Sequence, residues 1–152
     1  MGYSQNLTKI AERVVDCPLK CEKVVNDSNN GIIPRGIFYE GENRNGSRGI
    51  IAVGLNPGKA SFAEKKAMLK GSNSYDVYVN FFLENLVYKH KYFNHTREVV
   101  NSLGFDGPIV WTELVKCQCD GRNGDIAQQT FRTCINEYLK DEIKLFPSYT
   151  IF

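Results

Sequence analysis

Arg48-Gly49-Ile50-Ile51-Ala52-Val53-Gly54-Leu55-Asn56-Pro57-Gly58 reads as a buried strand running straight into a tight turn. Ile50, Ile51, Ala52 and Val53 form a short continuous apolar run, the pattern of a strand covered on both faces. Gly54, Pro57 and Gly58 then impose a sharp reversal that other residues would strain to make. The turn holds out one amide, Asn56. In an open α/β sheet, ligands bind at the carboxyl ends of the strands. An amide fixed there either serves chemistry or caps its own turn.

Outward from this stretch, helical and extended patterns alternate. Leu7, Ile10, Ala11, Val14 and Val15 fall at helical spacing, and Asp16-Cys17-Pro18 stops that helix because a residue before proline resists the helical region. Residues 26–31 form a polar loop, Gly36 to Tyr39 a short strand, and residues 41–47 a hairpin-type turn leading into the Ile50 strand. Ser61-Phe62-Ala63-Glu64 has capping-box form and predicts a helix that ends near Gly71. A second helix covers Tyr75 to Tyr88, and a third about Thr96 to Leu103, closed by Gly104. Ile109 to Val115 is a second strand. A long helix follows from about Asp125 to Leu145, ended by Pro147, and Tyr149 to Phe152 begins a third core strand. This alternation predicts an α/β domain spanning 1–152, with a parallel or mixed sheet flanked by helices.

With 152 residues, 42% hydrophobic and 24% charged, the chain has the composition of an ordinary globular domain with a real core. A formal charge of +2 neither demands nor excludes nucleic acid. Lysines gather between Lys59 and Lys70, as a solvated helix face or as a phosphate site. No apolar stretch has the length to span a bilayer, and no signal-peptide core opens the chain. The reading is a cytoplasmic protein with no membrane partner. A phosphate-binding P-loop fails on spacing, and Ala60 stands where Ser or Thr is required. His90 and His95, the only histidines, sit in polar turns and read as surface or capping residues.

Five cysteines fall as Cys17/Cys21, Cys117/Cys119 and Cys134. Such close pairs suit a shared metal site better than disulfides in a reducing compartment. Cys17, Cys21 and Cys134 would be ligands, with Cys117 or Cys119 as the fourth. A [4Fe–4S] cluster is the first expectation and zinc the alternative. Otherwise the thiols are small buried hydrophobes.

Gly54-Leu55-Asn56-Pro57-Gly58-Lys59-Ala60-Ser61 resembles the water-activating loop of the uracil-DNA glycosylase superfamily, most closely its mismatch-specific and thymine-DNA glycosylase branch. Thr112-Glu113-Leu114-Val115-Lys116-Cys117, followed by Cys134-Ile135-Asn136-Glu137-Tyr138-Leu139, is similar to the iron–sulfur branch, and Cys17-Pro18-Leu19 to its N-terminal cysteine motif. The resemblance spans roughly residues 5–152. It implies a three-layer αβα fold with a short, mostly parallel central sheet, and excision of a damaged base, uracil or a relative, from DNA. Asn56 would be catalytic. Gly54, Leu55, Pro57, Gly58, Thr112 and Glu113 would bind the base, with Tyr75, Tyr78 or Phe81 stacking on it unless they are core residues. Cys17, Cys21, Cys117 and Cys134 would hold the cluster.

The departures are specific. Val14 occupies the first cysteine position of the usual C-x2-C, so Cys21 would have to serve instead. Glu113 replaces the Asn that reads uracil. An ionised carboxylate only accepts hydrogen bonds, so Glu113 in the pocket would favour a base with an exocyclic amine. Outside the pocket it would be a surface or salt-bridged residue. The superfamily's C-terminal His loop has no counterpart in the sequence, which implies a sheet lacking its last strand, with an exposed edge that invites homodimerisation. These departures keep a second reading open, a non-catalytic nucleic-acid-binding or metal-cluster module on the same fold.

Overall fold

The computed structural model describes residues 2–41, 47–71, 74–121, 125–147 and 149–151. In chain order it comprises α1 (Gly2–Val15), β1 (Val24–Val25), β2 (Phe38–Glu40), β3 (Ile50–Gly54), α2 (Phe62–Lys70), α3 (Tyr75–Phe82), α4 (Lys91–Ser102), β4 (Ile109–Glu113), β5 (Gln118–Cys119), α5 (Gln128–Cys134), α6 (Lys140–Lys144) and β6 (Thr150–Ile151). A π-helical turn, Leu83–Val87, extends α3, and another, Ile135–Leu139, runs α5 into α6. Among the described residues no helix is long and apolar enough to cross a membrane.

The fold is mixed α/β. Its main sheet has the order β2-β4-β3-β6. β3 lies parallel to β4, with Ile50 opposite Ile109 and Gly54 opposite Glu113, and parallel to β6 on its other edge. β2 pairs antiparallel with β4. The expected hairpin at 41–47 is therefore corrected: β4 lies between β2 and β3. Residues 42–46 of that turn lie outside the described residues. The two strands with continuous apolar runs take the central places, where both edges and both faces are covered, and three-residue β2 is left at the rim.

Alternation along the strands divides the core. Ile50 and Ala52 of β3, with Ile109 and Trp111 of β4, pack with Met68 of α2, Tyr78 and Phe82 of α3, and Val100 of α4. Ile51 and Val110 point the other way, against Leu7 and Ala11 of α1 and Phe146 after α6. The period of two in the strands thus meets helices on each side.

Two further expectations need correction. The sequence predicts a core strand from Tyr149, but Thr150 and Ile151 of β6 are exposed, because the strand is an edge with one sheet neighbour. A second sheet, β1 paired antiparallel with β5, went unforeseen. α4 also begins at Lys91, ahead of Thr96, with His90 as its N-cap.

Candidate functional site

The turn after β3 is held from one side by the segment after β4. Leu114 N–H donates to Gly54 O at 2.8 Å and Val115 N–H to Leu55 O at 3.1 Å, so two backbone bonds tie the chain just past the strand ends. Farther along, Ala60 N–H donates to Gln118 Oε1 at 2.5 Å. Asn56 Nδ2 donates to Cys119 Sγ at 2.9 Å and to Pro57 O at 3.1 Å. Both bonds use the amide nitrogen. Among the described residues no donor reaches Asn56 Oδ1, so the acceptor end of the amide is left for a ligand or a water. The turn leads directly into α2, where the expected capping box is formed. Ser61 Oγ accepts from Glu64 N–H at 3.1 Å, and Glu64 Oε2 accepts from Ser61 N–H at 3.3 Å.

Asn56 opens on a cavity of about 470 Å³, within the range of about 300–1,000 Å³ usual for small-molecule sites. Gly54, Leu55 and Gly58 line it from the turn, and Thr112 and Glu113 from the end of β4. Phe38, Tyr78, Phe82, Phe93 and Trp111 supply aromatic walls, and His90 and Tyr92 approach from the start of α4. The other expected residues do not enter the lining: Pro57 is buried in the turn, and Tyr75 and Phe81 pack on the core instead. Tyr75 stacks on Tyr78 with ring centroids 6.4 Å apart, and burial raises its phenol to about 12. Of the three candidate aromatics, only Tyr78 reaches the cavity, with its hydroxyl donating to Gly36 O at 3.1 Å. The Thr112 hydroxyl donates to Glu142 Oε2 at 2.6 Å, so it serves the framework rather than a ligand.

Arg35 and His90 are among the lining residues that were not anticipated. Arg35 forks onto Glu64, with Nη2 at 2.8 Å from each carboxylate oxygen, and lies over the Phe82 ring at 4.7 Å. His90 is expected as a surface or capping residue, and it does cap α4: Nδ1 accepts the Tyr92 N–H at 3.2 Å. That bond puts the proton of the neutral ring on Nε2, so His90 also offers an N–H donor where it lines the cavity. Its position before Lys91-Tyr92-Phe93 marks a helix start, but nothing local shows that the helix start meets β4.

Glu113 is half-buried at the cavity wall, with Oε2 shut off from solvent. Burial is the largest influence on its carboxyl. Arg35 and Lys116 pull its pKa back and Glu142 pushes it further, leaving it raised from 4.5 to about 7. Gly54 makes room for it, since a Cβ there would run into Glu113 Oε2. Beneath it, Lys116 Nζ donates to Glu142 Oε2 at 2.7 Å, to Thr112 Oγ1 at 2.6 Å and to the Glu113 carbonyl at 2.7 Å. Lys116 is 1% exposed and Glu142 is fully buried, so this ion pair is sealed in the interior.

The thiols separate into two groups. Cys17, Cys21, Cys117 and Cys134 act electrostatically on one another. Burial raises Cys21, Cys117 and Cys134 above the ordinary thiol range, and the neighbouring sulfurs add to each rise. The Lys116 backbone N–H, directed at Cys134, pulls in the opposite direction. Among the described residues no three His, Cys, Asp or Glu side chains converge closely enough to hold a metal ion as they stand. Cys119, the alternative fourth ligand, is engaged by Asn56 on β5 instead. A broader groove of about 670 Å³ lies along α1, lined by Lys9, Glu12, Arg13, Asp16 and Glu137 among others. Its mixed, solvated charges converge on no point.

Comparison with known protein families, with curated proteins and with solved structures gave no match.

Proposed function

We propose that this protein hydrolyses the N-glycosidic bond of a damaged nucleotide in DNA, releasing uracil or a related base. The observation that carries this reading is Asn56: a turn at the carboxyl ends of two parallel strands ties its amide nitrogen and leaves its oxygen without a donor among the described residues, beside an aromatic cavity. A nucleotide flipped from the duplex would enter that cavity and stack on its rings.

As the C1′–N bond breaks, its electron pair leaves with the base, and positive charge grows on the sugar. A water oxygen then bonds to C1′, and its proton ends on the departing base. Asn56 Oδ1 would orient that water by accepting one of its hydrogens; an amide is too weak a base to do more, and a dissociative reaction needs no more. The His90 Nε2–H is a candidate donor to the departing base. Exposed Lys59, Lys66 and Lys70 suit phosphate contacts. Leu55 and Phe62, the latter 82% exposed, flank the turn as apolar groups able to wedge between base steps.

Cys17, Cys21, Cys117 and Cys134 are the four thiols that would hold a [4Fe–4S] cluster, with zinc as the alternative, and to do so they would have to draw closer together than they stand and lose their protons. Such a group would supply structural cross-linking, tying the segment after α1 to the end of β4 and to α5. The test of the function is release of free base from duplex oligonucleotides carrying uracil or other lesions. Release supports the reading. Tight DNA binding with no release from any lesion overturns it in favour of a non-catalytic binding module.

A further inference from the structure

Some residues both line the cavity and are exposed, and so form its mouth. Leu55, Gly58, Lys59 and Ser61 make one bank, ahead of α2; His90 and Tyr92 make the other, at the start of α4. Neither bank carries an acid, and none occurs in 55–63 or in 86–97. The second bank runs Tyr88-Lys89-His90-Lys91-Tyr92, every residue of it exposed, with two cations between two phenol rings. Among the described residues Lys59, Lys89 and Lys91 enter no ion pair.

The two rings are exposed yet held from behind. Tyr88 is 58% exposed, and the Arg97 guanidinium lies 5.7 Å from its ring centroid. Arg97 is itself forked onto Glu40 at 2.5 and 2.9 Å. Tyr92 is 49% exposed, with its ring 5.2 Å from Phe93 and 6.4 Å from Trp111, and with its N–H on His90 Nδ1. The backbone leading into the bank is tight: Lys89 N–H and His90 N–H both donate to Leu86 O, at 3.0 and 2.7 Å. Rings fixed in this way at the water boundary offer a flat face to a ligand at little cost in side-chain ordering.

We infer that the Tyr88–Tyr92 segment binds unpaired nucleic acid, so that the strand crossing the cavity mouth is taken as a single strand. Bases next to the one in the cavity stack on Tyr88 and Tyr92, and Lys89 and Lys91 meet the phosphates between them. Lys59 meets a phosphate on the opposite bank. Stacking rings set among cations are the chemistry by which unpaired strands are held whatever their sequence. A duplex keeps its bases stacked on one another and presents no base face to these rings. A carboxylate-rich peptide would use the lysines and leave the rings idle. The inference rests on the cavity being the site of a nucleotide in DNA, as proposed above, but it concerns binding and needs no bond cleavage.

The experiment is fluorescence anisotropy of the intact protein with a labelled, undamaged oligothymidylate of about ten nucleotides, a length in the range that single-strand sites cover. The comparison probes are the same strand paired with oligoadenylate, an abasic oligomer of equal length, and polyglutamate. The single strand should bind at least about tenfold more tightly than the duplex and than the abasic oligomer. Its binding should weaken with added salt, and polyglutamate should not displace it. Tyr88 does not line the cavity, so a change there reports the bank alone. Tyr88→Ala should weaken the single strand about tenfold, and Tyr88→Phe should restore it. Equal binding of single strand and duplex overturns the inference, as does equal binding of the abasic oligomer, displacement by polyglutamate, or an unchanged Tyr88→Ala. The wild-type series needs no variant to fold. Single-strand binding of this kind without base release from any lesion leaves the inference standing while the proposed function falls. Base release from damaged DNA with no preference for the unpaired strand does the reverse.

Discussion

Asn56 and Glu113 face one cavity for different reasons, and only one of these was legible in the sequence. Asn56 sits in a glycine- and proline-bounded turn after an apolar run, a local pattern that fixes its place whatever the rest of the chain does. Glu113 ends a strand, where a carboxylate ordinarily turns to water. Its burial depends on Gly54 making room alongside and on Arg35 and Lys116 being committed to other acids. None of these relations is local. The raised Glu113 carboxyl also affects stability. Between the unfolded value near 4.5 and the folded value near 7, the native state holds more protons than the unfolded chain. Its stabilising contribution is therefore complete below about pH 4.5 and lost as pH rises through about 7, a change of at most roughly 3 kcal/mol. Denaturant melts at a series of pH values should show this fall in the wild type and a flatter profile in Glu113→Gln. Identical profiles would contradict the assignment.

At the level of elements, the strands and helices that carry strong periods were readable, and the pairings between them were not. β3, β4, the capping box at Ser61 and the αL closure at Gly104 follow from residue types and spacing. β1 and β5 have two residues each, too few for any period to register, yet β5 carries Cys119 and Gln118 to the Asn56 turn. The C-x-C spacing therefore leaves Cys117 and Cys119 as alternatives for a fourth ligand, whereas Cys117 lies with the other thiols and Cys119 with the turn. β4 is locked to α6 by the sealed Lys116–Glu142 pair. Lys116→Met would leave Glu142 as an uncompensated buried charge and should cost about 3–5 kcal/mol in chemical denaturation, much of it recovered in the double variant with Glu142→Met. If the single variant is as stable as the wild type, the pair does not fix these elements.

Across the whole molecule, a mixed sheet covered on both faces brings one end of its parallel strands to the cavity, while the chain after α1 and the start of the 128–144 rod meet at the thiols. The β2-β4-β3-β6 order was not legible in the sequence, since adjacency along the chain suggests a hairpin. Anaerobic reconstitution with iron and sulfide should load about four irons per chain and raise the melting temperature, and Cys134→Ser should lose both effects while Cys119→Ser keeps them. Equal loading in the two variants would contradict the grouping. The central claim, that the Asn56 oxygen holds the attacking water for glycosidic hydrolysis, is met most directly by single-turnover base release from a uracil-containing duplex. The account predicts that Asn56→Ala slows release by about 10²–10³-fold at unchanged DNA affinity; equal rates for the variant and the wild type would contradict it.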